Sequence, residues 1–191
     1  MFLADANLLA IRRLLSRSKS NAYNNTNPGP PLSSSHPSPS LLVKLNLNVH
    51  TLYDESLSLL HKTSLKSPSG TSFIPEITKY ITLGRTVSLA LSYKWLGIDA
   101  GENGGRERCG EAISWLTLAE MELKELETGG KGLMGIGKGK GKGGKVQEEL
   151  ESIRAFRSGY KKVNDTVSRL SHHENRLALL NSPDDALTET G

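Results

Sequence analysis

Between Gly132 and Lys145 the chain reads GLMGIGKGKGKGGK, whose first eight residues come within one position of a phosphate-binding loop. Such a loop has the form G-x-x-x-x-G-K-[ST]. Its backbone N–H groups cradle phosphates, its lysine reaches the outer phosphates and its hydroxyl holds magnesium. Gly132, Gly137 and Lys138 fit, whereas Gly139 has no hydroxyl to offer the metal. Context is against the pattern as well, because a phosphate loop leaves a strand and opens into a helix. The preceding segment, Glu111 to Glu127, places Ala112, Leu116, Ala119, Leu123 and Leu126 at steps of three and four, the period of an amphipathic helix. Lys-Gly alternation follows, a poor helix opening because each interior glycine costs about 1 kcal/mol relative to alanine. The segment reads as an insertion between two helices, expected to be disordered over 128–145.

The other reactive side chains are scattered. Cys109 is the single cysteine, which excludes an internal disulfide and fits a small apolar core position. His36, His50 and His61 are widely spaced, and His172 and His173 point about 100° apart on a helix. No nucleophile, base or metal set can be assembled, so the reading is of a non-enzyme with no cofactor, no metal and no catalytic residue. Lys131, Lys138, Lys140, Lys142 and Lys145 together exceed the net charge of +4 by one, which leaves −1 for the rest of the chain. The basic balance therefore belongs to one segment and not to a spread-out nucleic-acid face, and no nucleic acid is expected as a partner.

The elements that must carry any function are helical. No alternating strand pattern occurs, and no apolar run is long enough to span a bilayer. The opening MFLADANLLAIRRLLSRSKS is leucine-rich and nearly acid-free, features shared with transit peptides, but a core helix is the favoured reading. Prolines 28, 30, 31, 37 and 39 interrupt any helix and mark a Pro/Ser linker over 21–40. A second helix from near Pro39 presents Leu41, Leu45, Val49, Leu52, Ser56 and Leu59 as its expected inner stripe. A third, from about Pro75 to Leu96, presents Ile77, Ile81, Gly84, Ser88, Leu91 and Trp95, with Gly84 and Ser88 small enough for a neighbouring helix to come close. The Glu111–Glu127 helix is the fourth. A fifth from about Val146 carries Val146, Leu150, Ile153, Arg157, Tyr160, Val163 and Val167 on or near one face. Residues 171–191 read as a fraying helix and a polar tail. The expectation is an all-α fold, a bundle or solenoid of long antiparallel helices.

Several longer words are more specific. LALSYKWLGIDAGENGG (Leu89 to Gly105), GEAISWLTLAEMELKEL (Gly110 to Leu126) and YKKVNDTV (Tyr160 to Val167) resemble the fungal pH-response regulators built on a BRO-type domain, as do ADANLLAIRRLLS and PGPPLSSSHPSP near the start. The residues that carry the resemblance are Tyr93, Lys94, Trp95, Leu96, Gly97, Asp99, Gly101, Glu102, Gly110, Glu111, Trp115, Asn164 and Asp165. Locally, Tyr93, Trp95 and Leu96 read as bulky anchors that end a helix, Gly97 as a turn, and Ala100 to Gly105 as a tight connection. Trp115 reads as a buried ring whose N–H seeks one acceptor. Most of these positions are expected to serve packing rather than partner contact.

The resemblance implies a partial BRO-type helical domain over 1–170, corresponding to the C-terminal part of that domain. It implies a non-enzymatic scaffold or adaptor of ambient-pH signalling that binds the C-terminal helix of a Snf-seven-type ESCRT-III subunit. Other pH-signalling components would be further partners, with proteolytic activation of the transcription factor PacC as the outcome. The implied location is cytoplasmic, with recruitment to the cell cortex or endosomal membranes through partners. A generic helical interaction module is the alternative reading, and a truncated fragment is another.

Overall fold

In a computed structural model, residues 1–21, 29–64, 74–133 and 142–180 are described. They form five α-helices and one short 3₁₀ turn: α1 (Phe2–Asn21), α2 (Pro39–Ser64), α3 (Ile74–Asn103), the turn Arg106–Arg108, α4 (Cys109–Leu133) and α5 (Lys142–Leu180). No strand occurs among the described residues, and the fold is all-α. The helices pack in chain order: α2 lies between α1 and α3, and α4 between α3 and α5.

The α3–α4 pair is joined closely because glycines sit where side chains must pass. At Gly97 a Cβ would lie 2.7 Å from Leu116 Cγ and 2.9 Å from the Ala112 carbonyl oxygen, so only glycine allows α4 this close. The turn expected at Gly97 is therefore not there, and α3 continues through it to Asn103. The expected connection over Ala100–Gly105 contracts to its last residues. Gly104 N–H donates to the Ala100 carbonyl at 3.0 Å, and Gly105 adopts φ +66°, the left-handed conformation that releases the chain from the helix.

On α2 the buried stripe is Leu42, Asn46, Val49, Tyr53 and Leu57, with Val43 beside it, while Leu41 and Leu59 face outward. The expected stripe is thus rotated by about one residue. On α3, Ile81, Ser88 and Trp95 are buried as expected, and Gly84 faces the Tyr53 ring, where a Cβ would stand 2.7 Å from Cε2. Ile77 is exposed, because it lies in the first turn of α3 at the margin of the core. On α5 the buried residues are Leu150, Ile153, Phe156 and Tyr160, whereas Val163 is exposed.

The segment expected as a disordered insertion is partly helical. α4 runs to Leu133 and α5 begins at Lys142, which is inside the Lys-Gly alternation. Residues 134–141, including Gly137, Lys138 and Gly139, lie outside the described residues, as do 181–191 of the expected tail. What precedes the phosphate-loop pattern is helix and not strand, so that context is wrong for a nucleotide site. The expected Pro/Ser linker also differs from its reading over residues 29–38. Pro30 lies over Gly159 of α5 where a side chain would clash, and Gly29 rests against Ala155. Leu32 N–H donates to Glu102 Oε2 of α3 at 3.1 Å, and the His36 ring packs on Trp95 with centroids 5.0 Å apart and planes tilted by 37°. These residues form a strap tying α3 to α5.

Candidate interaction site on the third, fourth and fifth helices

Residues two apart on a helix point about 200° apart, so Tyr93 and Trp95 serve opposite faces of α3. Trp95 is 6% exposed and fills the inner side beneath His36. Lys94, next to it, is 4% exposed, and its ammonium donates to Glu149 Oε2 at 2.6 Å while standing 5.1 Å from the Trp95 ring centroid. The cation is buried at the cost of its hydration, and the carboxylate with the indole face restores the electrostatic loss. His36 Nδ1–H donates to the Pro37 carbonyl at 2.8 Å, which leaves Nε2 as the basic site. Burial lowers the His36 pKa below its ordinary value; the Pro37 bond opposes this and the Lys94 charge adds to it.

Two turns further along α3, Glu102 Oε1 accepts the Tyr160 hydroxyl at 2.7 Å and Oε2 accepts the strap N–H of Leu32. Gly101 leaves room for the Tyr160 ring, which a Cβ would overlap. Burial, followed by the hydrogen bond to Glu102, pushes the Tyr160 hydroxyl far above the ordinary phenol range. Asp99 accepts from Asn103 Nδ2 at 2.8 Å, and Leu96 is half-buried against the core. Gly110 is exposed on α4; a Cβ there would meet only Asn164 Oδ1, at 3.9 Å, so glycine is not sterically required. Asn164 is half-buried and Asp165 is exposed.

On the outer face, Tyr93 stacks on Trp115 of α4 with centroids 5.6 Å apart and planes inclined 26°. Trp115 is half-buried rather than fully buried, and its Nε1–H donates to Glu111 Oε1 at 3.3 Å, which supplies the expected acceptor. Arg108 forks onto Glu111 with Nε–Oε2 at 2.7 Å and Nη2–Oε1 at 3.0 Å. The guanidinium, then the Trp115 bond, holds the Glu111 carboxyl below the ordinary carboxylate range. Leu118 and Met121 on α4 are 41% and 53% exposed, and lie about 60° and 120° round the helix from Trp115.

Glu120 is the polar residue that sequence reading passed over. It is 4% exposed among apolar neighbours, and it collects Lys124 Nζ at 2.8 Å, Arg154 Nε at 2.9 Å and Arg157 Nη1 at 2.5 Å. Burial by itself would raise its pKa, but the hydrogen bonds from Lys124 and Arg154 and the Arg157 charge outweigh burial and hold the carboxyl below the ordinary value. The available signal was Arg157 on an otherwise apolar face of α5, which requires an acid from the facing helix. Cys109 is buried and free, its Sγ 3.7 Å from the Gly105 carbonyl. Among the described residues no cluster of His, Cys, Asp or Glu is placed to hold a metal, and no helix is long and apolar enough to cross a membrane. Lys94, Glu102, Glu111 and Glu120 are thus each engaged by neighbouring side chains or backbone.

No family model matches the chain, and no solved structure matches it. Among curated proteins it is similar to the pH-response regulator protein palC of Cryptococcus neoformans var. neoformans serotype D (strain B-3501A), at 37% identity over 205 residues. The alignment takes in 88% of this chain but 42% of that relative, so the chain spans less than half of the relative's length. By this comparison the chain is a palC-like protein.

Proposed function

We propose that the chain is a non-enzymatic adaptor of ambient-pH signalling, built on a BRO-type helical domain, that binds the amphipathic C-terminal helix of an ESCRT-III subunit. The observation that carries the reading is the 37% identity to a protein described as a pH-response regulator. Helix-in-groove recognition suits the outer face, where Tyr93, Trp115, Leu118 and Met121 offer apolar anchors. The fixed aromatic pair supplies contact area at little entropic cost, because the stack and the Glu111 bond already hold the rings. The pairing of the polar side chains described above supports the non-enzymatic part of the reading. In cells the adaptor would be cytoplasmic and reach the cortex or endosomes by way of its partners.

A pull-down of the chain with the immobilised ESCRT-III C-terminal helix tests the proposal, with a scrambled helix of the same composition alongside. Retention on the native helix alone is the expected result. Equal retention on both, or on neither, would leave a generic helical module in place of the adaptor.

A further inference from the structure

α1 is held to the domain by one side. Ala4 and Ile11 are buried against α2, with Leu8 and Leu15 partly so. Its sole acid, Asp5, is clamped by two phenols: the Tyr53 hydroxyl at 2.6 Å and the Tyr80 hydroxyl at 2.7 Å, both donating to Oδ1. The opposite side carries Phe2, Leu3 and Leu9, which are 85%, 62% and 63% exposed, with Ala6 and Ala10 between them. At about 100° per residue these five occupy one arc of roughly 120°. Arg13 falls in the same arc one turn on, Arg12 flanks it, and both are exposed. The outward face thus begins apolar, ends cationic and has no carboxylate of its own.

We propose that this face of α1 lies on a bilayer containing anionic phospholipid, giving the chain a direct membrane contact in addition to any made through partners. Phe2, Leu3 and Leu9 would enter the acyl boundary, while the Arg12 and Arg13 guanidiniums meet acidic headgroups. Charge argues against a second copy as the occupant. A parallel pairing sets Arg12 and Arg13 against their counterparts, and an antiparallel one sets them against Phe2 and Leu3; neither provides an acid, because Asp5 is turned into the α2–α3 clamp. An acidic lipid surface satisfies both halves of the face together.

Flotation of the whole 191-residue chain with vesicles of phosphatidylcholine alone, and with about 30 mol% phosphatidylserine added, tests this. The chain should float with the anionic vesicles and only weakly with the neutral ones. Arg12→Gln with Arg13→Gln should lower partitioning onto the anionic vesicles about thirtyfold. Phe2→Ser with Leu9→Ser should remove binding to both kinds, with helical content and melting unchanged because both side chains are exposed. Failure of the unaltered chain to float, or floating indifferent to either pair of substitutions, overturns the proposal. So does self-association that Leu9→Ser abolishes in the absence of vesicle binding, which would assign the face to a second copy.

Discussion

Glu120→Gln isolates the buried ion cluster without changing its shape. The wild-type carboxylate receives Lys124 at 2.8 Å and Arg154 at 2.9 Å on Oε1, and Arg157 at 2.5 Å on Oε2. Charge-assisted hydrogen bonds such as those from Lys124 and Arg154 contribute about 1.5–3 kcal/mol each when their partners are buried, and Arg157 adds its charge without a hydrogen bond. Here the cations are 52%, 44% and 34% exposed, so water screens them and each pair falls toward about 1 kcal/mol or less. Glutamine keeps one carbonyl acceptor but turns an amide donor toward cations at the other oxygen. The sum is an expected loss of about 2 kcal/mol at neutral pH. The pH dependence provides the sharper test. Because the folded-state pKa lies below the unfolded one, the unfolded chain binds more protons across the acidic range. Glu120 therefore contributes its full stabilisation above about pH 4.5 and loses it as pH falls through the folded value. Urea unfolding of both proteins, followed by circular dichroism, should show a gap at neutral pH that closes on acidification. Equal stability at neutral pH, or a gap that survives at low pH, would refute the electrostatic account of α4–α5 docking.

Gly101→Val should destabilise by about 2–3 kcal/mol by driving the side chain into the Tyr160 ring and parting it from Glu102, measured by urea unfolding. Trp95→Ala should cost ~3–5 kcal/mol through the lost transfer energy and the cavity, read as a lowered melting temperature. His36 binds its proton less readily when folded, so its contribution is complete above about pH 6.5 and declines below it. His36→Phe keeps a ring on Trp95 and should flatten the stability–pH curve in that window, and identical slopes for the two proteins would discount His36.

The elements were legible in the sequence where one apolar stripe dominates. On α4, Ala112, Leu116, Ala119 and Leu123 admit only one inner face, and that face is the buried one. α2 misled because its eight leucines are distributed around the helix and several arcs fit, while the buried arc includes Asn46 and Tyr53, which hydropathy does not favour. The glycine-rich stretch after Trp95 read as a connection because glycine weakens isolated helices. The opposing cause is tertiary: Leu116 and Tyr160 press on Gly97 and Gly101, and that packing outweighs propensity. At the site, burial of Trp95 could be read from helical spacing, as could the close approach at Gly84. Glu120 and its cations, and the strap over Trp95, depend on which helices become neighbours, and no local pattern encodes that.

The claim that the outer face of α3 and α4 receives a partner helix is tested most directly by fluorescence anisotropy titration of a labelled ESCRT-III C-terminal helix. The intact chain should bind it saturably with a Kd of about 1–100 μM. Trp115→Ala with Leu118→Ser should weaken binding at least about tenfold while leaving the fold cooperative, since both residues lie partly or largely in water. Unaltered affinity in that double variant, or no saturable binding by the intact chain, would contradict the account.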